Sequence, residues 1–84
     1  MKRNRKPSPE MIWRLAANVK RLRKARGYSQ KSLARRTGLP HGHISKIEQE
    51  LMNTSLATLE ALSNGLDCSL YDLFASVKTE PEQR

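Results

Sequence analysis

Apolar side chains recur at helical spacing in five separate stretches of the chain, and polar side chains fill the positions between them. Ile12, Leu15, Ala16, Val19 and Leu22 repeat with a period near that of an α-helix and mark the buried stripe of a first helix. Ser8, Pro9 and Glu10 supply a cap, a first-turn proline and a favourable acid at its start, and the helix should run to about Arg26. Trp13 lies on the border of that stripe. A second helix opens on Ser29, turns Leu33, Ala34 and Thr37 inward and closes at Gly38, which can take a left-handed conformation. In a third, Ile44, Ile47, Glu48 and Leu51 recur at i, i+3, i+4, i+7 and face the core. Ser55 caps a fourth helix with Leu56, Leu59, Leu62 and Leu66 inward and Gly65 weakening its last turn; Ser69 and Asp72 open a fifth, whose Leu70, Leu73 and Phe74 close the core. The pattern predicts an all-α fold, a compact five-helix bundle. A chain of 84 residues suits that architecture, since it buries only roughly 60% of its unfolded surface, and no separate effector domain is expected.

Two charges break the apolar stripes. Arg23 falls at i+4 from Val19, and Glu48 at i+4 from Ile44; opposite charges directed into one core should pair, because either alone is expensive to bury. Residues 29–48 as a whole read as two short helices joined by a tight turn, a helix-turn-helix signature. The second of these helices leaves His41, Gly42, Ser45, Lys46 and Gln49 facing out. That face holds donors and no acid, which suits a DNA major groove.

Charge strengthens this reading. The formal net charge is +8, but residues 1–36 carry +12 and residues 37–84 carry −4. Segregation on this scale beside a helix-turn-helix favours a polyanion such as DNA over a scattered, solvated helix surface. Residues 1–8, with Lys2, Arg3, Arg5 and Lys6, read as a flexible basic arm that either solubilises or contacts phosphates. Residues 9–77 form the domain, and residues 78–84, with Pro81 and mixed charge, a frayed tail. No apolar run approaches the roughly 20 residues of a membrane span and none follows the basic N-terminus as in a signal peptide, so a cytoplasmic protein without membrane contact is expected. Cys68 is the single cysteine and lies between Leu66 and Leu70, as a small buried hydrophobe would.

Five fragments in order carry a resemblance that covers well over half the chain: Leu22-Arg23-Lys24 through Arg26-Gly27, Ser29-Gln30 and Leu33-Ala34; Gly38-Leu39; Ile44-Ser45-Lys46-Ile47-Glu48; Ser55-Leu56 with Thr58-Leu59; and Ser69 to Phe74. Together they resemble the Cro and phage-repressor (xenobiotic-response-element) family of bacterial DNA-binding domains. The resemblance implies the phage-repressor type of bundle, a bridge between Arg23 and Glu48, and double-stranded DNA as partner. It implies base contacts from His41, Gly42 and Lys46, whose face Ser45 shares, and a DNA contact from Gln30, where helix N-terminal amides also favour a phosphate. Lys31 should assist it. Asn53 and Thr54 match a loop that binds phosphates in relatives, and Gln49 and His43 join the phosphate candidates, His43 with packing as its alternative. Two positions depart from the family: Pro40 stands where a Ser or Thr usually caps the recognition helix, and Glu50 where a glycine usually follows it.

The function expected is a sequence-specific transcriptional regulator, a repressor acting as a homodimer on an inverted-repeat operator, with Leu66 and Tyr71 as dimer-interface candidates on the fourth and fifth helices. The alternative is an antitoxin or other protein-interaction module, which would have no need of the His41, Ser45, Lys46 face with Gln30; a protein partner stays open. No paired carboxylate in an apolar setting, glycine-rich phosphate loop or nucleophile with a base is evident, so no enzyme activity and no cofactor are expected. His41 and His43 stand two apart, which does not place two ligands on one helix face, and no metal site is expected.

Overall fold

The five expected helices form in a computed structural model that describes residues 7–77: α1 Pro9–Ala25, α2 Gln30–Thr37, α3 His43–Glu48, α4 Leu56–Leu66 and α5 Leu70–Leu73. Lys2, Arg3, Arg5 and Lys6 of the expected arm, and the expected tail from residue 78, lie outside the described residues. Four serines start four of the helices. The hydroxyls of Ser8, Ser29, Ser55 and Ser69 accept from the backbone N–H groups of Met11, Ser32, Thr58 and Asp72, each cap contributing about 1 kcal/mol. At Ser69 the box is complete, since the Asp72 carboxylate accepts from the Ser69 N–H at 3.0 Å.

One core joins all five. α1 packs against α3, α4 and α5, while α2 packs against α3 and α4. Val19, Leu33, Leu62, Leu66 and Leu73 are fully buried at its centre, with Ile44 and Ile47 beside them. Cys68 packs against this core as a half-buried residue, and its burial pushes the thiol pKa up. The buried polar residue is as informative as the apolar ones. Asn18, 1% exposed, donates from Nδ2 to the carbonyls of Leu73 (3.1 Å) and Ala75 (2.9 Å) and accepts from Arg21 Nη2 at 3.0 Å, tying the end of α5 to the middle of α1. It lies at i+3 from Leu15 and i+4 before Leu22, so it occupies the apolar stripe itself.

Several expectations need correction. Leu51 is 66% exposed because α3 stops at Glu48 and the chain turns at Glu50, φ 64, so the helical period no longer applies; Met52 packs against the core instead. Leu56 is 72% exposed because the whole first turn of α4 overhangs the bundle, and burial begins only at Thr58 and Leu59. Leu70, at the first position of α5, is also exposed. Leu66 is wholly buried against the other helices, so it offers no surface to a second copy, whereas Tyr71 stands 88% exposed. Gly65 does more than weaken α4: a Cβ there would come within 2.5 Å of Thr37 Cγ2, so the missing side chain is what lets α4 approach α2.

Candidate nucleic-acid interface

α2 and α3 bring their first residues together on one side of the bundle. Between them lies an open cleft of about 370 Å³ whose lining includes Gln30, Lys31, His41, Gly42 and Ser45. Gly38 ends α2 at φ 73, and Pro40 then carries the chain to a further turn before the next helix begins. That turn changes the expected recognition helix. The cap falls at Gly42, at φ 93 and with no side-chain hydrogen bond, so α3 starts at His43 and spans six residues. His41 therefore reaches the cleft from the preceding turn rather than from the helix. The left-handed backbone at Gly42 is incompatible with an α-helix, which accounts for the later start.

The remaining candidates divide. Lys46 is exposed on α3, free to meet a polyanion. Ser45 accepts from Gln49 Nε2 at 2.7 Å, which turns the Gln49 amide back along its own helix. His43 is half-buried with Nδ1 buried and unpartnered, an environment of packing rather than of phosphate contact through that atom. Asn53 is exposed in the loop after α3, but Thr54 is half-buried and lines a small apolar groove with Pro7, Met11 and Leu59. The candidates thus do not all share one face of the cleft.

The ion pair between Arg23 and Glu48 forms as expected. Arg23 Nε donates to Glu48 Oε2 at 2.7 Å and Nη2 to Oε1 at 3.1 Å, with the two side chains 10% and 4% exposed. Arg23 Nη1 also donates to the Tyr28 carbonyl at 2.9 Å, which pins the corner between α1 and α2. The hydrogen bond to Glu48 raises the Arg23 pKa above its ordinary value, so the guanidinium is charged throughout the accessible pH range. Two contacts were not legible from spacing. Gln30 Nε2 donates to Glu48 Oε1 at 3.0 Å. Arg36 donates from Nε to the Gly65 carbonyl at 3.0 Å and stacks 4.6 Å from the Tyr28 ring centroid, which gives that cation a structural task away from the cleft.

Among the described residues no group of His, Cys, Asp or Glu could hold a metal ion, and no helix is long and apolar enough to cross a membrane.

Comparison with known proteins bears on the same region. The profile of the Helix-turn-helix family matches residues 19–73. A Neisseria meningitidis protein described as a hypothetical transcription factor is 34% identical over 59 residues, 70% of this chain and 56% of its own length. Control protein C.MunI of a Mycoplasma species is 37% identical over 68 residues, covering 80% of this chain and 92% of that protein. The transcriptional regulator SinR of Bacillus subtilis is 37% identical over 60 residues, 70% of this chain and 54% of SinR. The chain thus spans just over half the length of two of these relatives. A crystal structure of SinR, master regulator for biofilm formation, in complex with DNA has a TM-score of 0.69 and 35% identity, over 73% of this chain and 98% of that one. With the bundle, the paired helices and the buried arginine–glutamate bridge in place, the chain belongs to the helix-turn-helix family of the Cro and phage-repressor (xenobiotic-response-element) type.

Proposed function

We propose that the protein is a sequence-specific transcriptional regulator of double-stranded DNA, a cytoplasmic repressor that works as a homodimer on an inverted-repeat operator. The observation that carries this reading is the cleft at the joined ends of α2 and α3, where Gln30, Lys31, His41 and Ser45 converge beside the exposed Lys46. Lys46 is suited to the O6 and N7 acceptors of guanine, His41 to a base edge from the turn, and Gly42 to close approach. Gln30 and Lys31, with Asn53 in the next loop, take phosphates and fix the register of the complex. The crystal structure of SinR with DNA supports this use of the fold.

One short recognition helix reads too few bases to find a site among a genome's competitors, which is the reason for a dimer. Tyr71 on α5 is the contact to test, because it is the most exposed of the large apolar side chains described and stands away from the cleft. Selection of bound duplexes from a random pool gives the operator. On that operator Lys46→Ala should relax discrimination at one base pair by about 1–3 kcal/mol, and Gln30→Ala should weaken all sequences alike. A selection profile left unchanged by Lys46→Ala removes this assignment of the recognition face.

A further inference from the structure

The Glu48 side chain is 4% exposed and yet accepts three hydrogen bonds from two different helices. Two come from Arg23 on α1, and the third comes from Gln30, the first residue of α2. The arginine alone would neutralise the acid. The glutamine bond makes a different connection, because Gln30 is exposed and stands at the mouth of the cleft, while the carboxylate that holds it is 4% exposed.

We infer that Glu48, besides closing the bridge to Arg23, is a positioning residue that holds the Gln30 amide ready for a DNA phosphate. An exposed glutamine side chain normally samples many rotamers, and ordering it on binding weakens association. A carboxylate whose own place is fixed by two arginine N–H groups is a rigid anchor for that side chain. The amide is planar, so fixing one Nε2–H fixes the direction of the other, which is the donor left for a phosphate oxygen. The chain of contact runs from the Tyr28 carbonyl through Arg23 and Glu48 to Gln30, and so locks the contact residue to the corner between α1 and α2 as well as to α3. Arg23 has a second effect in the same place, since it cancels an acid that would otherwise repel the phosphate beside Gln30. This inference rests on the reading of Gln30 as a DNA contact, and the test separates the two.

The first measurement uses the unaltered protein without DNA. The Gln30 side-chain amide should show an order parameter near about 0.85, as rigid backbone does, and a value below about 0.6 overturns the inference whatever Gln30 does on DNA. The second compares Gln30→Ala in the wild-type protein and in the joint variant Arg23→Met with Glu48→Met, against the selected duplex and an unrelated duplex of equal length. Losing the anchor should reduce the effect of Gln30→Ala by roughly 2- to 10-fold, equally on both duplexes, the size expected for ordering one long side chain. An equal loss in both backgrounds overturns the positioning role while leaving Gln30 as a DNA contact. A Gln30→Ala change without effect on wild-type affinity overturns the contact itself, and with it the role of Glu48 in presenting it. Should the joint variant not fold, the order parameter of the Gln30 amide in the unaltered protein decides alone.

Discussion

Gly65 and Asp67 stand two residues apart at the end of α4, and the structure calls for opposite substitutions at them. In an isolated helix Gly65→Ala would stabilise by about 1 kcal/mol. Here the added methyl meets Thr37 Cγ2, and Thr37 is itself held by hydrogen bonds from Oγ1 to the carbonyls of Leu33 and Ala34, so overpacking should reverse the sign to a loss of about 1–3 kcal/mol. Asp67 caps the same helix at φ 57 and puts a carboxylate beside the negative end of the helix dipole. Asp67→Gly removes both penalties and should raise stability by about 0.5–1 kcal/mol; urea unfolding of the two variants checks both signs. The same reasoning about enclosed partners applies to Arg23. Arg23→Met leaves Glu48 buried without its main donor and should destabilise by roughly 3–5 kcal/mol, while joint replacement with Glu48→Met should come close to neutral. Additive losses in that double-mutant cycle would mean the bridge contributes no coupling.

At the scale of the element, α3 and α5 are too short to be stable by themselves, and each is held by what surrounds it. α3 has no side-chain cap and depends on Ile44, Ile47 and Glu48, all directed into contacts with α1 and α2. α5, four residues long, relies on burial of Leu73, on the Asn18 bond to its last carbonyl, and on the box at its start. The Ser69 N–H, followed by the Ser69 hydroxyl, holds the Asp72 carboxyl below the usual carboxylate range. A depressed folded pKa means that the stabilisation is present above the unfolded value, about pH 4, and disappears as pH falls through the lower folded value. The difference in melting temperature between the wild-type protein and Asp72→Asn should therefore be constant near neutral pH and shrink on acidification below about pH 4. A difference that stays constant to the lowest pH would show that the charge adds nothing to this cap.

The whole molecule combines a basic first half with an acidic second half, and the described part of that asymmetry puts Lys31 in the lining of the cleft and Lys46 exposed on α3, while Glu60, Asp67 and Asp72 lie on α4, its cap and α5. In the proposed homodimer, two-fold symmetry requires half-site centres about one helical turn apart, roughly 34–36 Å. Inserting about five base pairs between the half-sites should turn one of them to the far side of the duplex and abolish cooperative binding. Tyr71→Ala should weaken dimerisation, measured by sedimentation, without altering the base preference. A monomer that binds its best site with undiminished affinity after the insertion would remove the dimer.

Periodicity and capping chemistry determined the number and order of the helices, because the inner stripes of α1 and α2, and four serine caps, are local patterns that any packing of these elements must satisfy. The pairing of Arg23 with Glu48 was legible for a related reason, since a buried charge must find its opposite and the stripes offered one of each. Tertiary structure alone decided where each pattern stops applying. The left-handed turns at Gly42 and Glu50 shorten the recognition helix, move His41 into a turn and release Leu51, and the overhang of α4 exposes Leu56. The Gly65 approach, the Asn18 clamp and the Gln30 bond to Glu48 join residues 18 to 57 positions apart, and the distance between such residues depends on how the helices cross. A helical period specifies which way a side chain faces on its own element, whereas its neighbour across the core is set by the placement of the other elements.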